Sequence, residues 1–125
     1  MELEERELDS LREHIERRNY AAAASMAERL EEPKEKIKEL QKAAIRQYIT
    51  EYRNAPGSIA LVQEFRFTDD EIDRLLEAIV EEARGSGEKR PSWAGRRYDT
   101  KTMKYLDVEE WIGRYARELK RAGSR

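Results

Sequence analysis

Apolar residues recur along this chain at helical spacing, three or four positions apart, with charged residues filling the gaps. Leu8, Leu11 and Ile15 share one face and predict a helix from about Leu3 to Arg17. Asn19 is the expected left-handed cap that turns the chain. A second helix, Tyr20 to Glu31, has small residues from Ala21 to Ala24 that let a neighbour approach closely, while Met26, Ala27 and Leu30 extend its apolar face. Pro33 stops that helix or opens the next, because proline is tolerated in a first turn. The longest element, Lys34 to Arg53, carries Ile37, Leu40, Ala44, Ile45, Tyr48, Ile49 and Tyr52 as a broad stripe. Asn54-Ala55-Pro56-Gly57 ends it, and Ser58 is positioned to cap a short apolar helix through Phe65.

Thr68 with Glu71 reads as a capping box. Asp69 and Asp70 add favourable charge there, and Phe67 is placed to staple onto Ile72. Ile72, Leu75, Leu76, Ile79 and Val80 define a fifth helix ending near Arg84. From Gly85 to Gly95 the periodicity vanishes, which predicts a mobile basic loop over residues 85–98. Thr100 to Leu106 reads as a short helical turn, and no segment alternates well enough to be a strand. Asp107 and Glu110 form a second capping box for a final helix with Val108, Trp111, Ile112, Tyr115 and Leu119 on its apolar face. The expectation is a single all-α domain over residues 1–125, with about six helices in an irregular bundle of stacked helical hairpins. Its expected core is Leu11, Ile15, Met26, Leu30, Ile45, Ile49, Leu61, Phe65, Leu75, Ile79, Trp111 and Ile112.

Composition sharpens this picture. The 125 residues are 42% charged and 38% hydrophobic, against about 25% charged in ordinary globular proteins. Long helices over a thin core, an oligomer, or a domain with a poorly ordered segment each fit that balance. Asn and Gln are scarce beside Glu and Arg, which matches either heat adaptation through surface ion pairs or a GC-rich genome. The net charge of −2 gives no global pull toward nucleic acid or membrane. With no cysteine there is no disulfide framework or thiolate chemistry. The acidic start, Glu2-Leu3-Glu4-Glu5, is unlike a signal peptide, and no apolar run approaches the roughly 20 residues of a membrane span. The expected compartment is the cytoplasm, without membrane contact.

Candidate chemistry is sparse. The one histidine, His14, has Leu11 three positions before it and Arg18 four after, so neither Glu-x-x-His nor His at i and i+4 is present. Ser92 lacks the leading glycine of a nucleophile elbow. Gly85-Ser86-Gly87 lacks the lysine of a P-loop. Paired acids such as Glu81 and Glu82 lie on predicted exposed faces, where they solvate the helix. No enzyme activity, metal or cofactor is expected.

Charge segregation is the exception. Residues 69–82 hold seven acids and one base, a net of −6, while residues 84–104 hold seven bases and two acids, a net of +5. Trp93, Tyr98 and Tyr105 interleave with those bases. The basic segment could fold back on the acidic helix or remain solvated. It could also bind a protein partner or a second copy of the chain, with Arg90, Trp93, Arg96, Arg97, Tyr98 and Lys101 as contacts and Trp93 as anchor. A nucleic-acid alternative puts Arg90, Arg96, Arg97 and Lys101 on phosphates with rings stacking on bases.

Two patterns resemble known helical motifs. The order of Ser58 to Val80, a short apolar helix, a tight turn and an amphipathic helix, resembles a DNA-binding helix-turn-helix. Asp69, Asp70, Glu71, Asp73 and Glu77 on the would-be recognition helix would repel phosphate, so the resemblance implies packing geometry. Leu8, Ala21 and Pro33 fall where a tetratricopeptide-type hairpin places leucine, alanine and its closing proline. Leu11/Ile45 and Ile15/Ile49 recur at that repeat's period of about 34 residues. Asp9, Arg12 and Glu28 depart from the pattern, and the resemblance implies only stacked hairpins, which serve as binding surfaces. The functional expectation is a non-enzymatic helical protein–protein interaction or adaptor module.

Overall fold

Helix signals in the chain become six helices in a computed structural model that describes residues 2–87 and 96–123. They are α1 (Glu2–Glu16), α2 (Tyr20–Arg29), α3 (Lys34–Thr50), α4 (Ala55–Glu64), α5 (Asp69–Gly87) and α6 (Val108–Gly123). Between α5 and α6 lie two short strands, β1 (Arg97–Asp99) and β2 (Lys104–Leu106). The fold is all-α apart from this antiparallel hairpin. Contacts divide the chain into two compact units, residues 1–47 and 48–125. Among the described residues, no helix is long and apolar enough to cross a membrane.

In the first unit α1 packs on α2. Close approach follows from alanine: Ala23, Ala24 and Ala27 are fully buried, and Leu11 is buried on α1. Ile15, Met26 and Leu30, expected in the core, are only half-buried. The turn after α1 corrects the expectation for Asn19. Arg18, at φ 62°, takes the left-handed position, and the Asn19 N–H reaches back to the His14 carbonyl at 2.8 Å in a Schellman closure. The Gln47 side-chain amide donates to the Arg18 carbonyl at 2.9 Å, which explains how a buried glutamine is tolerated. Glu31 (φ 55°) closes α2 in the same way, with the Glu32 N–H on the Ala27 carbonyl.

In the second unit α6 is the shared partner: α4 and α5 both pack on it. Val62, Phe67, Ile72, Ile79, Trp111 and Leu119 are buried almost completely. Both expected capping boxes form. Thr68 Oγ1 accepts from the Glu71 N–H at 3.2 Å while Glu71 Oε1 accepts from the Thr68 N–H at 3.1 Å. Asp107 and Glu110 exchange the same pair at 2.8 and 3.2 Å. Arg66 (φ 56°) provides the left-handed closure between α4 and α5.

Three boundaries differ from expectation. Asn54, not Ser58, caps α4, accepting from the Gly57 N–H at 2.8 Å. Pro56 then sits in the first turn, where its missing N–H costs nothing. Ser58 is instead fully buried, its hydroxyl donating to the Asn54 carbonyl at 2.7 Å. α5 continues through Gly87, so Gly85 to Gly87 belong to a helix and not to the loop. The expected helical turn at 100–106 is the hairpin: Tyr98 pairs with Tyr105 in register, and the Met103 N–H donates to the Asp99 carbonyl at 2.8 Å.

Candidate functional site

Within the second unit, the segment leaving α3 and the start of α4 face the hairpin across an open cleft of about 470 Å³. Tyr48, Tyr52, Arg53, Asn54, Ala55 and Pro56 line one side. Tyr98, Asp99, Thr100 and Lys101 line the other, with Tyr115 of α6 contributing to the lining. Gly57 is needed beside it, since a Cβ there would fall 2.8 Å from Tyr48 Cδ2 and closer still to the capping Asn54 side chain. Tyr48 and Tyr52 meet edge-to-face at 5.2 Å, the geometry their ring quadrupoles favour.

A buried polar bond anchors the hairpin to α6. The Tyr115 hydroxyl donates to Asp99 Oδ1, and Asp99 Oδ2 accepts from the Thr102 N–H at 2.8 Å. Burial alone would push the Asp99 carboxyl upward. The two donors and the Arg114 guanidinium outweigh it, and the group is held below the usual carboxylate range. Burial, then the bond to Asp99, pushes the Tyr115 phenol up to about 12. The proton therefore stays on Tyr115 at neutral pH, and the phenol acts as a donor. Cations flank its ring: the Arg114 guanidinium lies 5.0 Å and the Lys101 ammonium 5.9 Å from the centroid.

Arg53 ties the other wall to the hairpin, donating to the Leu106 carbonyl at 3.1 Å. Burial lowers its pKa, the positive charge of Arg97 lowers it further, and Asp107 partly offsets both. Arg53 and Lys101 stand in the lining with one carboxylate, Asp99.

The expected contact residues fare unequally. Tyr98 and Lys101 line the cleft. Arg97 is exposed beside them on β1, its Nη1 donating to the Arg96 carbonyl at 3.0 Å. Arg96 is turned toward α6, with Glu110 at 3.6 Å. Arg90 and Trp93 lie outside the described residues. Arg84 pairs with Glu109 of α6, and Lys120 of α6 reaches Asp73 on the acidic helix at 3.1 Å. Tyr48, Tyr52, Arg53 and Asn54 were not expected at a site. Tyr48 and Tyr52 share the spacing of the apolar α3 stripe, and nothing in the sequence sets them apart from its core positions.

No protein family, curated protein or solved structure matches this chain. The geometry therefore stands by itself. Among the described residues, no three His, Cys, Asp or Glu side chains group closely enough to hold a metal ion. The cleft is lined by tyrosine rings, the cations Arg53 and Lys101, and the Asp99 carboxylate.

Proposed function

We propose that this chain is a cytoplasmic, non-catalytic helical binding module that engages a protein partner through the tyrosine-lined cleft and the hairpin at residues 96–106. One observation carries the reading. Among the described residues, the exposed large apolar side chains are Tyr52, Tyr98, Met103 and Tyr105, at 55, 48, 73 and 64% exposure, and all four lie on the hairpin or the cleft. Tyrosines present large, rigid contact area with little side-chain entropy to lose, and they concentrate at interface hot spots. Tyr98 and Tyr105 also brace each other edge-to-face at 5.2 Å, so their positions are set before any partner arrives.

The test is residue-specific cross-linking in cells with a photoreactive group at position 103. Proteins captured by the native chain and lost from a Tyr98→Ser/Tyr105→Ser variant of unchanged melting temperature support the reading. Equal capture by both chains rejects it. A second reading, single-stranded nucleic acid, is favoured by Arg97, Lys101 and Lys104 standing among the tyrosines. It requires oligonucleotide binding that weakens steeply with salt.

A further inference from the structure

The cleft's chemistry narrows the kind of partner, an inference that rests on the protein-binding reading above. Two cations line it: Arg53, half-buried, and Lys101, exposed. Lys101 makes no ion pair among the described residues, and its ammonium lies 5.9 Å from the centroid of the Tyr115 ring. Asp99, the carboxylate in the lining, accepts from Tyr115 and Thr102, and among the described residues no ion pair joins it to Lys101. Arg97 and Lys104 add exposed charge on the same hairpin. Lys101, Arg97 and Lys104 thus put more positive than negative charge on the hairpin side of the cleft, where Asp99 is the one carboxylate of the lining, beside tyrosine rings.

We propose that the cleft binds an extended acidic peptide segment of a protein partner, seating one apolar or aromatic side chain against Tyr48, Tyr52 and Tyr98 while flanking carboxylates meet Lys101 and Arg97. The volume of about 470 Å³ suits one large side chain with its adjoining backbone. Met103 argues for peptide over nucleic acid. It stands at the hairpin tip in a left-handed conformation, φ 57°, and 73% exposed. A thioether gains little from phosphates, whereas methionine adapts readily to apolar side chains of a protein surface.

Fluorescence anisotropy with the full chain tests this. The probes are labelled peptides of about 12 residues, with a central Phe, Leu or Tyr flanked by Asp and Glu, and counterparts carrying Asn and Gln instead. Oligothymidylate of similar length and sedimentation of the chain alone complete the set. Acidic peptides should bind at least about tenfold more tightly than the amide peptides. Lys101→Glu should erase that preference while leaving the affinity for the amide peptides in place, which shows the cleft intact, and Lys101→Arg should keep it. Equal affinity for both peptide sets, still dependent on Tyr98, overturns the acidic occupant and leaves the protein-binding reading intact. No peptide binding at about 1 mM also overturns it, while the cross-linking result decides the broader reading separately. Oligothymidylate displacing the peptides, or self-association abolished by Lys101→Glu, overturns both.

Discussion

Tyr115→Phe removes one oxygen from the bond that fastens the hairpin to α6, and its cost follows from the surroundings. Tyr115 is 2% exposed and Asp99 8%, so water does not readily replace the lost donor. Asp99 keeps the Thr102 N–H, and the ring keeps nearly its full volume, so no cavity opens. A hydrogen bond to a charged acceptor contributes about 1.5–3 kcal/mol. The expected loss is about 2 kcal/mol, or a fall in Tm of about 10 °C for a unit the size of residues 48–125. Urea unfolding followed by tryptophan emission reads it, with the Trp111 ring 4.8 Å from Tyr115. Hydrogen exchange at the Thr102 amide checks that the loosening is local. The pH dependence has two limbs. Because the Asp99 carboxyl is lowered in the folded state, its contribution is present above the unfolded value of about 3.9 and lost as pH falls through the lower folded value. Because the Tyr115 phenol is raised to about 12, its contribution is present below the unfolded value of about 10 and lost as pH climbs toward the folded one. The Phe variant should lack the alkaline limb. A variant within about 0.5 kcal/mol of the native chain, with an unchanged alkaline limb, would refute the reasoning.

Other perturbations have equally definite outcomes. Arg18→Gly, Glu31→Gly and Arg66→Gly should each raise stability by about 0.5–1 kcal/mol in urea titrations, since glycine relieves the left-handed backbone by more than its added chain entropy costs. Gly57→Ala should cost about 1–3 kcal/mol, because the new methyl would press on Asn54 and Tyr48, and the variant should lose cleft-dependent binding as well. Phe67→Ala, at a fully buried ring, should cost about 3–5 kcal/mol by thermal unfolding. Thr68→Ala should cost only about 1 kcal/mol, the worth of its cap.

Where the chain's local signals agree with its packing, the fold was legible. α5 and α6 each begin at a capping box and carry an unbroken apolar face, so both read correctly from the residues. The breaks between helices were legible too, but the residues that close them were not. Arg18, Glu31 and Arg66 occupy left-handed positions that normally call for glycine, so no glycine marked them. The hairpin was hidden in the same way. Its strands have three residues each, too few for alternation to show, and Met103 holds the position where glycine or asparagine would signal a turn. The site was half legible. Tyr98 and Lys101 stood out as an aromatic and a base close in sequence. Tyr48 and Tyr52 have the spacing of core residues, and only the chain's return at residues 98–101 brings them to a common cleft.

That α4 and α5 both rest on α6 also sets an order of assembly. The α1–α2 pair is joined by a short turn and can close as soon as both helices exist, which keeps its loop entropy small and its formation fast. The second unit has no such shortcut. The faces of α4 and α5 that pack on α6 stay uncovered until the hairpin and then α6 have left the ribosome. The newborn chain thus passes through an interval with a sticky half-built core, when a chaperone that shields apolar helices would protect it most.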